Sequence, residues 1–147
     1  MEKLAEAYFS LGEMTKAQQM AQEALEQSPH REQLLRLLIR IAMSERAYPS
    51  ALALLSRLAS MEPDDPWVRV QRATAYAQTG NPQDAVQCLK PALDAGYPDE
   101  KGSLHALLAA QLRKLGRDQD AKNAADEAVK LADSFEERTQ SKPENHP

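Results

Sequence analysis

Apolar residues along this chain recur at the spacing of an α-helix, and the stripes stop and restart at short intervals. Leu4, Ala5, Tyr8 and Leu11 fall on one helical face, and Gly12 follows where a left-handed C-terminal cap would end the helix. A second stripe, Ala17, Ala21, Ala24 and Leu25, is ended by Ser28-Pro29. The same two-stripe unit returns as Ala73, Tyr76, Gly80, Ala85, Leu89, Ala92 and Leu93, and again as Leu108, Ala109, Leu112, Gly116, Ala121, Ala125 and Ala128. The pattern predicts helices over 2–11, 15–27, 31–44, 48–61, 66–79, 82–95, 103–115 and 119 to about 138. Pro82 suits a first turn. Pro91 falls inside the sixth helix, where it lacks the N–H and crowds the carbonyl of residue 87, so a kink is expected there.

The units keep a fixed register. Ala17, Ala51 and Ala85 are each 34 apart and Ala121 follows after 36, while Gly12, Arg46, Gly80 and Gly116 keep the same spacings. Pro29 and Pro63 also recur at 34, and Pro98 arrives one residue late, ahead of a longer loop over 94–102. Alanine at recurring places lets neighbouring helix axes approach closely. An internal repeat of this length marks stacked supersecondary units that bury their apolar faces only against each other.

With a small residue and Tyr in the first helix, Gly at the turn, two Ala in the second helix and a closing Pro, the unit resembles the tetratricopeptide repeat family. The resemblance covers roughly residues 1–133 and implies an all-α solenoid of about four helix-turn-helix units in a right-handed superhelix. Its units would span about 1–31, 32–65, 66–101 and 102–135 within one domain, 1–138, followed by a flexible polar tail, 139–147. Some positions depart from the family pattern. Ala42 stands where Tyr is usual and Arg46 where Gly is usual; Arg69 and Arg72 occupy places that are commonly apolar, so the first helix of the third unit is expected to be rotated or irregular.

Composition narrows the function. At 147 residues the chain has room for one ordinary domain, and with aromatics at only 5% the Ala-, Leu-, Gln- and Glu-rich remainder favours helix. A formal charge of −4 gives no overall attraction to nucleic acid or anionic lipid. The longest apolar stretch, 34–43, is interrupted by Arg36 and Arg40, and residues 1–10 carry Glu2 and Glu6 where a signal peptide needs an apolar run, so a soluble chain without membrane insertion or export signal is expected. The single cysteine, Cys88, forms no internal disulfide and leaves the compartment open.

Candidate chemistry is sparse. His30, His105 and His146 lie far apart in the register, so no metal cluster is drawn, and His105 reads as a packing residue. Asp64-Asp65 and Asp99-Glu100 stand at helix entrances, where carboxylates cap free N–H groups. The glycines are isolated, and no phosphate loop, zinc helix or calcium loop is present. No catalytic residue, cofactor or metal is expected.

The resemblance implies a binding groove along the first helices. Carried position by position, it lines that groove with Glu2, Glu6 and Phe9; Arg36, Arg40 and Met43; Trp67, Val70, Thr74 and Gln78; and Ala106, Ala110, Arg113 and Lys114. Glu2 and Glu6 stand where one subfamily has the clamp for chaperone C-terminal carboxylates, which disfavours that function. Glu2 is one repeat before Arg36 and Glu6 one repeat before Arg40, so each pair is expected side by side, neutralising one another at about 0–1 kcal/mol per exposed pair. Against that, Arg36, Arg40, Met43, Trp67, Thr74, Gln78 and Arg113 are expected to form a peptide anchor selective for acidic segments.

The expected function is a non-catalytic protein-interaction scaffold, the C-terminal part of a larger bacterial-looking protein. Two alternatives remain open: a stand-alone secretion chaperone of tetratricopeptide type, and a regulatory domain attached to an enzyme. The apolar side of Leu4, Tyr8 and Ala21 is expected to be less covered than its counterparts, which points to self-association through the N-terminal edge.

Overall fold

Eight helices and no strand make up residues 1–141, the part of the chain that this computed structural model describes. Helix boundaries match the periodicity to within a residue except at the last end. The described helices divide into two compact units, one over Met1–Thr79 and one that begins at Gly80.

The first unit contains α1 (Glu2–Ser10), α2 (Met14–Gln27), α3 (Glu32–Ser44), α4 (Tyr48–Met61) and α5 (Pro66–Gln78). Each helix packs on the next, and α1 also touches α3. α3 is apolar around most of its circumference, with Leu34, Leu35, Leu37, Leu38, Ile39, Ile41 and Ala42 all buried. Such a helix is stable only when enclosed, and α1, α2 and α4 enclose it. Leu34, Leu35, Leu37, Ile39 and Ile41, with Leu55 and Leu58 of α4, are below 2% exposed, each burial worth about 1.5–3 kcal/mol. Beyond its first turn and its last residue, what α3 leaves uncovered is a narrow stripe, Arg36, Arg40 and Met43.

Small residues set the helix spacing: Ala5, Ala17, Ala21 and Ala51 are 0% exposed. Ala21 therefore departs from the expectation of a less covered edge, because α2 packs on both α1 and α3. Leu4 fits that expectation, at 46% exposed against 5% for Leu38 in the equivalent place. α1 ends on Gly12 at φ 79°, the left-handed region. There the Gly12 N–H donates to Phe9 O at 3.0 Å and the Glu13 N–H to Tyr8 O at 2.9 Å, satisfying carbonyls the helix leaves open. Arg46 makes the same turn at φ 57° after α3. α5, for which irregularity was expected, is an unbroken helix. Arg72, one repeat after Leu38, is half-buried on it, and its Nη2 donates to the Tyr76 hydroxyl at 3.5 Å.

The second unit contains α6 (Pro82–Asp94), α7 (Ser103–Lys114) and α8 (Asp118–Ser141), with α7 packed on both others. Ala85, Val86, Leu89, Ala92, Leu108, Ala109, Leu112, Ala121, Ala124 and Ala128 form its interior. Ala124 takes the inward position on α8, leaving Ala125 half-buried. α6 continues through Pro91 and ends in that same turn, at Asp94. α8 runs to Ser141, so residues 139–141 of the expected tail are helical; the remainder, 142–147, and His146 with it, lies outside the described residues.

Candidate functional site

The uncovered stripe of α3 meets a neighbouring helix on each side. Arg36 faces α5: its Nε and Nη2 donate to Glu32 Oε1 at 3.0 and 2.8 Å, and Nη2 also pairs with Asp65 Oδ2. The guanidinium lies over the Trp67 ring, 4.9 Å from its centroid. Asp65 in turn is the N-cap of α5, accepting the Trp67 N–H at 2.9 Å. Arg36, Asp65 and Trp67 thus form a closed triangle, with Glu32 on its outer side.

Both charges of the pair are held in their ionised forms. Burial works against ionisation of Asp65, but the Arg36 guanidinium and the Trp67 N–H outweigh it and keep the carboxyl below its usual range. Burial likewise opposes the Arg36 charge, and hydrogen bonds to Asp65 and Glu32 more than restore it. Two carboxylates on one guanidinium leave this cluster with a net negative charge.

Arg40 faces the other way. It is exposed and stacks on Phe9 of α1, 4.6 Å from the ring centroid. Among the described residues it makes no ion pair. Met43 is half-buried against the core below. The pairing expected between equivalent first-helix residues does not form: Glu2 pairs with Arg31 at 2.7 Å, and Arg36 with Glu32 and Asp65.

Of the remaining groove residues, Trp67 is half-buried. Thr74 is also half-buried, its hydroxyl bonded to Val70 O at 3.0 Å, and Gln78 is exposed at the end of α5. Val70 is 4% exposed and belongs to the interior. Arg113 lies in the last turn of α7 in the second unit, exposed beside Lys114, and makes no ion pair among the described residues.

Two comparisons decide what kind of module this is. The tetratricopeptide repeat model matches residues 38–115, and a second model of the same description matches 1–31. The chain belongs to the tetratricopeptide repeat family. Among solved structures, its fold is similar to "MamA 41-end from Desulfovibrio magneticus RS-1", at 17% identity, TM-score 0.78, covering 95% of this chain and 75% of that one. It is similar also to "MamA RS-1 ArsTM double mutant", at 17% identity, TM-score 0.80, with 97% and 76% covered. At these identities the likeness is one of fold. Curated protein sequences give no match.

As a tetratricopeptide repeat chain it is a protein-interaction scaffold, and its partners are proteins. Among the described residues no helix is long and apolar enough to cross a membrane, and no group of His, Cys, Asp and Glu is placed to hold a metal. His105, read as a packing residue, also fixes the start of α7. Its Nδ1 lies 2.8 Å from Asp99 Oδ2, while Asp99 accepts the Leu104 and His105 N–H groups at 2.9 Å each. Burial raises the Asp99 pKa, but those three bonds outweigh it and hold it below the usual carboxylate range.

Repeat arithmetic missed the Arg36–Asp65 pair because it looked for neighbours one full repeat away. Asp65 lies 29 residues after Arg36, and Arg31 stands the same distance after Glu2. That shorter spacing was the available signal. It also missed a crevice of about 370 Å³ between α2 and α4, floored by Leu38 and Ala42 and edged by Leu25, Leu54 and Arg57.

Proposed function

We propose that the chain binds a peptide segment of its protein partner across the face formed by α1, α3 and α5. Trp67 and Met43 serve as the apolar anchor, Arg40 engages a carboxylate, and Thr74 and Gln78 supply polar contacts. The observation that carries this reading is Arg40, an exposed cation with its donors uncommitted, on the same helix stripe as Arg36 and the Trp67 it holds. Trp and Arg dominate binding energy at such surfaces because they join large contact area to directional donors. Arg113 is proposed as a separate carboxylate contact on the second unit. Since the carboxylates around Arg36 offset its charge, the face favours a peptide carrying one well-placed acidic group over an acidic tract.

The test uses peptides selected from a random library on the parent protein and titrated against Trp67→Ala and Arg40→Gln. Trp67→Ala is expected to weaken binding by about 2 kcal/mol or more. Arg40→Gln should weaken the carboxylate-bearing peptides and flatten their salt dependence. Binding that survives both changes assigns the ligand to another surface. A second reading, self-association, is favoured by the exposure of Met1, Leu4 and Leu11 at 50%, 46% and 74%; a concentration-independent monomer in sedimentation excludes it.

A further inference from the structure

Two ion pairs in the first unit are the same contact with the charges exchanged. Glu2, on the first turn of α1, pairs with Arg31, the N-cap of α3. Arg36, in the equivalent place on α3, pairs with Asp65, the N-cap of α5. In both, a first-helix side chain reaches the residue that opens the next first helix. The direction follows from helix geometry, since side chains lean toward the N-terminus and the neighbouring first helix begins at that level. A position that holds Glu in one repeat and Arg in the next, and makes the same contact in each, has its charge read by the following repeat.

We infer that Arg36 is a positioning residue: it ties α3 to the start of α5 and holds the Trp67 indole in place, leaving Arg40 as the ligand-facing cation of this unit. Three contacts converge on that role. The guanidinium covers one face of the indole, its Nη2 pairs with Asp65, and Asp65 accepts the N–H of Trp67 itself. At 21% side-chain exposure, with Glu32 Oε1 also on it, Arg36 has little edge left for a ligand. An indole held in advance loses less freedom when a peptide covers it. The depressed pKa of Asp65 accords with a pair that stays closed at neutral pH.

The inference rests on the groove reading for its ligand consequence, but its test needs no ligand. Trp67 is the only tryptophan, so emission and quencher access report its surroundings directly. Arg36→Gln is expected to red-shift the emission and raise acrylamide quenching with the far-UV circular dichroism intact. Asp65→Asn, which keeps a capping acceptor and removes the charge, should shift it in the same direction. Arg40→Gln should leave the emission at the parental value. Parental emission in both Arg36→Gln and Asp65→Asn overturns the inference, and so does an equal shift in Arg40→Gln. If Arg36→Gln fails to fold, the Asp65→Asn and Arg40→Gln spectra decide alone. If the emission behaves as expected while neither Trp67→Ala nor Arg40→Gln weakens peptide binding, the groove reading falls and the positioning role of Arg36 stands.

Discussion

Gly102 lies so close to α8 that a Cβ added to it would stand 2.3 Å from the Ala128 carbonyl oxygen. Its backbone is also left-handed, at φ 80°. Both facts exclude a side chain: the obstacle is helix backbone, which cannot rotate away, and the conformation is strained for any L-residue. Gly102→Ala is expected to cost about 3 kcal/mol or more. Urea unfolding followed by circular dichroism measures this, and a parental midpoint would contradict the close approach of α7 to α8.

Arg46 makes the turn between α3 and α4 in the left-handed region without the freedom of glycine. Its N–H donates to Met43 O at 3.1 Å and the Ala47 N–H to Ala42 O at 2.8 Å, so the turn itself is sound. Arg46→Gly removes the steric cost of about 1–2 kcal/mol and adds backbone entropy to the unfolded chain, for a net gain of roughly 0.5–1 kcal/mol. Thermal unfolding checks the sign; a lower midpoint refutes it.

Asp99 ties the long loop of the second unit to the first turn of α7, and its carboxyl is held below the usual range, chiefly by the Leu104 and His105 N–H groups against the cost of burial. A native pKa below the unfolded value means the bound proton favours the unfolded chain. The contribution is therefore complete above the ordinary carboxylate range and is lost as pH falls through the depressed native value. Asp99→Ala should cost about 1–2 kcal/mol at neutral pH, the worth of a cap. The difference from the parent should vanish in strong acid. A constant difference across that range in acid titrations of stability rules out the assignment.

Ala85 on α6 and Ala121 on α8 are 0% and 1% exposed in the second unit. Replacing either by Leu inserts three carbons where the packing leaves no space, at about 1–3 kcal/mol. Ala95→Leu, at an exposed site after α6, serves as the control. Equal thermal midpoints for all three would show that the recurring alanines do not set the helix spacing.

The sequence by itself determined the eight helices, their turns and the alanines between them. These depend on the local spacing of apolar residues and on which residues tolerate a left-handed turn, and both are properties of neighbours in the chain. It also pointed to the stripe of Arg36, Arg40 and Met43, through the groove positions that the tetratricopeptide resemblance implies. Asp65 and Asp99 were legible as caps because a carboxylate before a helix has few other uses.

Which charges meet was decided only by the tertiary structure. Arg36 and Arg40 are one turn apart on the same stripe, yet one carries two carboxylates and lies over Trp67 while the other stacks on Phe9 and stays unpaired. Val70, with an equal place in the groove by register, is buried. The physical reason is reach. A long side chain leans toward its own helix N-terminus and finds a partner a turn or more out of register, and that offset appears only once the helices have packed side by side.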